Sequence, residues 1–129
     1  MAAARYGEKV REHFRQPRNA GAFDPAAPGI LTGEAGATDQ GGLVRLQLRL
    51  DASGMIEDTR FKAYGCGVTI AAASWTSEWL KGKTLEQARS LSAQQISTAL
   101  ELSAAKLHCA LLVEEALGAA MAGKQLEQE

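Results

Sequence analysis

The sequence predicts an α+β fold in which helices cover one face of a small antiparallel sheet. Three observations predict it. In residues 43–51, Val44, Leu46, Leu48 and Leu50 alternate with Arg45, Gln47, Arg49 and Asp51. That two-residue period gives a strand one dry and one wet face. From Val68 the apolar spacing lengthens to a helical period, through Ala72, Trp75 and Trp79. Strand patterns also come early and helical patterns late, as in folds that segregate helices to one side of an antiparallel sheet.

Taken in order, Tyr6, Val10 and Phe14 form a helical stripe that ends before Gln16-Pro17. Residues 17–42 carry repeated glycine and proline punctuation and read as loop, with a short strand over 30–32. The strand over 43–51 follows. Asp51, Ser53 and Gly54 supply a turn, and residues 55–64 return as an antiparallel partner, resting partly on Phe61 and Tyr64. Gly65-Cys66-Gly67 breaks that strand, and the helix from Val68 stops near Gly82. Thr84 with Gln87, and Ser92 with Gln95, have the spacing of capping boxes for two short helices. Ser103 is placed to cap a last helix in which Cys109, Leu112, Val113, Ala116 and Ala120 share a face. No repeat, linker or low-complexity segment interrupts residues 1–129, which read as one domain.

Composition excludes several classes of function. Apolar residues at 46% and charged residues at 22% are ordinary for a folded domain. Fourteen basic against fifteen acidic side chains lack the positive surface that nucleic acids demand. Apolar runs such as 68–73 and 109–113 fall far short of a membrane span. Residues 1–5 have no hydrophobic secretory core, and Glu8 and Glu12 argue against a transit peptide. With two cysteines and no signal, the expected location is the cytoplasm, with both thiols reduced.

Those cysteines, Cys66 and Cys109, lie 43 positions apart and outside any Cys-x-x-Cys pair. A free cysteine is more often a buried structural residue, and spacing alone leaves that reading open. Their settings say more. Cys66 sits between glycines just ahead of a helix, and Cys109 near the start of another, where partial positive charge favours a thiolate. His108, by residue type alone, reads as a capping or packing side chain. His13 reads as solvated or half-buried, without a partner. No His-Glu-x-x-His and no phosphate-cradling glycine motif occurs, so an independent zinc enzyme has no support.

The same segments carry a family resemblance. Residues 6–10 (YGEKV), 13–14 (HF), 17–21 (PRNAG), 23–24 (FD), 46–48 (LQL), 54–58 (GMIED), 60–67 (RFKAYGCG), 78–79 (EW), 81–83 (KGK) and 106–109 (KLHC) match the IscU/NifU-N iron–sulfur scaffolds in order. The resemblance implies a three-stranded antiparallel sheet with helices packed on one face. It also implies a scaffold, not an enzyme: a protein that takes sulfur from a cysteine desulfurase, takes iron, holds a [2Fe–2S] cluster and passes it on. Cys66 matches the second cluster cysteine of the family, Cys109 the third, and His108 the histidine before it.

Two departures stand out. Where the family has Ala-Cys-Gly-Asp, this chain has Asp39-Gln40-Gly41-Gly42, so Gln40 replaces the first cysteine and Gly42 the aspartate. Asp39 is displaced, and is a candidate oxygen ligand only if its loop swings in. The family's Leu-Pro-Pro-Val-Lys, which resembles a peptide read by a dedicated Hsp70-type chaperone, is Leu102-Ser103-Ala104-Ala105-Lys106 here. Losing both prolines permits helix up to Ser103, and recognition by that chaperone does not carry over. A [2Fe–2S] cluster takes four donors, usually thiolates, and a glutamine carbonyl suits it badly. Three outcomes follow: a single Zn²⁺ or Fe²⁺ on Cys66, His108 and Cys109, a cluster shared in a homodimer, or a vestigial site in a non-catalytic protein that docks on desulfurase.

Overall fold

The computed structural model describes residues 7–37, 39 and 41–128, with side chains through residue 122. Tyr6 and Gln40, named above, lie outside the described residues. The elements are α1 (Glu8–Arg15), β1 (Ile30–Ala37), β2 (Gly42–Leu50), β3 (Ile56–Tyr64), α2 (Gly67–Leu80), α3 (Leu85–Arg89), α4 (Ala93–Leu100), a 3₁₀ turn (Ala104–Lys106) and α5 (Leu107–Gln128). The strands form one antiparallel sheet in the order β1-β2-β3.

Val44, Leu46 and Leu48 of β2 are fully buried beneath α2 and α5, and each such side chain contributes about 1.5–3 kcal/mol through the area it removes from water. α5 lies across β1 and β2, while α2 lies across β3. Alanines make that approach close: Ala71, Ala72 and Ala73 of α2, and Ala110, Ala116 and Ala120 of α5, are wholly buried. Both capping boxes form, at Thr84/Gln87 and Ser92/Gln95. The face of α2 through Val68 and Ala72 is buried in its first half. Trp75 and Trp79 continue it at the core margin, stacked with centroids 6.3 Å apart.

Four expectations need correction. First, β1 runs over eight residues, well beyond 30–32. Its Gly33 and Gly36, read as loop punctuation, are strand residues. A Cβ at Gly33 would overlap the Ala116 carbonyl oxygen and the Ala120 nitrogen of α5. Glycine there lets helix backbone lie directly on strand backbone.

Second, the wet face of β2 is covered at its centre. Gln47 is 1% exposed. Its amide accepts from the Phe23 N–H at 2.8 Å and donates to the Phe23 carbonyl at 3.2 Å and the Thr32 hydroxyl at 3.1 Å. The Phe23 ring packs against the Arg49 and Arg60 guanidinium groups, 5.1 and 4.8 Å from its centroid.

Third, His13 is buried, with Nδ1 2.8 Å from the Ser74 hydroxyl and both ring nitrogens 3.1–3.2 Å from the Arg18 guanidinium. Its partner lies 61 positions away, beyond the reach of local pattern. Fourth, Ser103 makes no side-chain cap: the 3₁₀ turn intervenes before α5 begins at Leu107.

Candidate metal centre

Cys66 is the N-cap of α2, in extended conformation between β3 and the helix. Gly65 before it adopts φ +143°, which disfavours a side chain, and its α-carbon faces the Gly41 carbonyl of the β1–β2 connection. The turn therefore closes tightly against Gly41 and against Gly42 at the start of β2. Cys109 is the third residue of α5 and is buried, whereas Cys66 is half-buried. Their sulfurs stand 3.7 Å apart. Cys109 Sγ is 3.6 Å from His108 Nε2, and His108 Nδ1 is 3.1 Å from the Ala105 carbonyl.

A cavity of about 590 Å³ opens over these side chains, lined also by Gly42, Thr69, Lys106 and Glu115. Thr69 is the residue that sequence reasoning missed. Its hydroxyl lies 3.7 Å from Cys66 Sγ, and its position three residues after the N-cap is the capping-box spacing, a signal present in the sequence. Lys106, in the segment that carries His108 and Cys109, also reaches the cavity.

The two thiols differ electrostatically. Burial pushes the Cys66 thiol up, but the Thr69 N–H and hydroxyl, the Cys109 thiol and the Val68 N–H outweigh it and hold it below the ordinary value. No cap bond of ordinary geometry forms from Cys66. The helix N–H groups act on its sulfur as partial positive charge. Burial pushes the Cys109 thiol up, and the neighbouring Cys66 adds to that, against the lowering effects of the Thr69 hydroxyl and the Lys106 charge. Cys66 is the readier thiolate, with Cys109 beside it as a donor.

These distances fit a tetrahedral metal. Two sulfurs bound at about 2.3 Å to one such ion stand about 3.8 Å apart, against 3.7 Å between Cys66 and Cys109. One sulfur and one imidazole nitrogen on the same ion stand about 3.6 Å apart, the Cys109–His108 distance. An Nδ1–H donated to the Ala105 carbonyl would leave the Nε2 lone pair free, as metal-binding histidines require. Among the described residues, however, no group of three or more His, Cys, Asp or Glu side chains is gathered tightly enough to hold an ion. The pairs Cys66–Cys109 and Cys109–His108 fit separately, and a three-donor set needs a side chain to turn. Asp39 is exposed and is not among the described residues lining the cavity.

Residues 5–128 match the model of the NifU-like N terminal domain. The chain belongs to that family. Within it, the chain is 44% identical over 123 residues to the iron–sulfur cluster assembly scaffold protein IscU of Haemophilus influenzae, covering 95% of this chain and 98% of the relative. Against IscU of Escherichia coli K12 the identity is 42% over 124 residues, covering 96% and 97%. The fold also resembles that of a Fervidobacterium islandicum protein described as a scaffold for the SUF system, with TM-score 0.72 at 19% identity over 94% of this chain and 99% of that one. A NifU-like N-terminal domain from Brucella abortus gives TM-score 0.67 at 16% identity, covering 99% and 98%. The three-stranded antiparallel sheet with helices on one face is thus the family's fold. Among the described residues, no helix is long and apolar enough to cross a membrane.

Proposed function

We propose that the protein is an iron–sulfur cluster assembly scaffold that holds iron and sulfide on Cys66 and Cys109, with His108 as a further ligand. One observation carries the reading: two sulfurs from distant segments stand 3.7 Å apart on an open cavity. The IscU relatives, matched over nearly their whole length, support the same role. Cys66, poised as thiolate, is suited to receive iron or sulfur, and Cys109 to close the chelate.

Sulfur comes from a cysteine desulfurase, which does the bond-breaking, so the chain itself needs no catalytic acid or base. A reducing cytoplasm keeps both thiols free. Leu102-Ser103-Ala104-Ala105-Lys106 lacks both prolines of the peptide an Hsp70-type chaperone reads in the family, and this supports a scaffold independent of that chaperone. Asp39, exposed on its loop, stays outside the ligand set.

The test is the iron and acid-labile sulfide content of protein purified without oxygen. Expected are bound iron, acid-labile sulfide and thiolate-to-iron charge-transfer absorption, all lost in Cys66→Ser and in Cys109→Ser. Colourless protein with neither element, still captured by desulfurase after both substitutions, would favour the rival reading of a docking protein with a vestigial site. That rival draws on the absence, among the described residues, of a ready three-ligand cluster.

A further inference from the structure

β3 is an edge strand of the sheet, and only part of its outer edge is covered. Phe61 turns its backbone outward: its N–H donates to the Asn19 carbonyl at 3.0 Å, and its carbonyl accepts from the Gly21 N–H at 2.9 Å. Ala20 thus bridges Phe61 as a short parallel strand. Gly21, at φ +139°, then turns the chain off the edge, and Phe23 is held over Gln47 on the outer face of the sheet. Ala63, two residues along β3, points its N–H and carbonyl the same way as Phe61, because backbone direction alternates along a strand. Among the described residues, neither group has a backbone partner.

We infer that this open edge receives an extended segment of a partner protein, with alternating aliphatic and acidic side chains, as an added strand. A cleft of about 310 Å³ lies along it, lined by Ala63 with Pro17, Ala20, Lys62, Tyr64 and Ile70. The two faces of an added strand would meet different chemistry. On the helix side, Ala63 and Ile70 are half-buried apolar side chains that suit an aliphatic residue. On the outer side, Lys62 and Tyr64 are exposed, and Lys62 stands directly across from Arg45 on β2. Like charges so placed destabilise a sheet. Arg45 has Glu34 at 3.7 Å, whereas no carboxylate among the described residues pairs with Lys62. An acidic side chain on the added strand would supply one.

Strand addition draws affinity from main-chain hydrogen bonds and selectivity from the alternating side chains. A lysine on an edge also repels other cationic edges. A second copy of this chain, bringing its own Lys62, is therefore a poorer occupant than an acidic segment. Ala63 lies three residues before Cys66, so the added strand ends beside the candidate metal centre. The docking itself needs neither thiol and is separable from the scaffold reading.

The test titrates the full, nitrogen-15-labelled chain with acetyl-Val-Glu-Val-Glu-Val-amide and follows its amides by NMR. Expected are saturable shifts centred on the Ala63 amide and slower exchange of its proton. N-methylation of the peptide, which removes its N–H donors, should weaken binding at least about tenfold. Lys62→Glu, a change at an exposed side chain, should weaken it roughly threefold to fivefold and admit acetyl-Val-Lys-Val-Lys-Val-amide instead. No saturable shift at Ala63, or an N-methylated peptide that binds as well, overturns the added strand. Equal binding of both peptides by the parent overturns the acidic partner. A native mass showing a dimer of the chain alone, which the peptide dissolves, assigns the edge to a second copy and overturns the inference.

Discussion

Replacing Gly33 by alanine should both destabilise the protein and pull the candidate centre apart. The added Cβ would overlap the Ala116 carbonyl oxygen and the Ala120 nitrogen and would stand 2.9 Å from the Ala119 carbonyl carbon. All three are backbone atoms of α5, so no rotamer change relieves the clash, and the helix itself must retreat from β1. Overpacking a core costs about 1–3 kcal/mol, and contact with backbone on two sides places this change near the upper end, at about 3 kcal/mol. For a domain of this length, that lowers the thermal midpoint by about 10 °C. Because α5 carries Cys109, zinc affinity should fall as well. Gly118→Ala is the internal control: it lies on the same helix with open space around it, and should stabilise by about 0.5–1 kcal/mol through helix propensity. Thermal unfolding of both variants, with zinc titration, checks the pair. A Gly33→Ala midpoint within about 2 °C of the parent would refute the close approach of α5 to β1.

Three further outcomes follow from particular contacts. Burial, then the Arg18 charge, lowers the His13 pKa against weaker opposing effects of Glu12 and Glu78. The unfolded chain therefore binds this proton first, and stability should fall as pH drops below about 6.5; denaturant titrations from neutral to mildly acidic pH should show a slope that His13→Asn flattens. Gln47→Leu keeps the volume but leaves the Phe23 N–H and carbonyl without partners, costing about 2 kcal/mol in urea unfolding and freeing the loop it pins for proteolysis. Thr69→Val removes the hydroxyl beside Cys66; losing a weak hydrogen bond of about 0.5–1 kcal/mol should slow Cys66 alkylation near neutral pH roughly two- to fivefold, and an unchanged rate would discount Thr69.

What the sequence revealed and what it hid divide along a physical line. β2 was legible because Val44 to Leu50 alternate cleanly, and both capping boxes because their partners are three residues apart. Cys66 and Cys109 were legible as a pair through family motifs, since spacing alone carries no information about two sulfurs 43 positions apart. The hidden features are contacts over long separations. Gln47 reads as a solvent-facing residue until residues 17–24 fold over it, and His13 has no partner until Ser74 arrives on α2. Gly33 and Gly36 signal a loop by composition, while their use is to let α5 and the neighbouring β2 strand approach β1. Thr69 was visible in principle, three residues after Cys66, but a threonine on a helix's first turn has an ordinary capping use that masks its place on the cavity.

Under the proposed function, Cys66 and Cys109 act together as one chelate. Zinc-edge X-ray absorption of the full chain carrying one equivalent of zinc reads this directly. The predicted first shell has two sulfurs at about 2.3 Å and nitrogen or oxygen at about 2.0–2.1 Å, falling to a single sulfur in either Cys66→Ser or Cys109→Ser. A shell with one sulfur or none in the parent protein would contradict it.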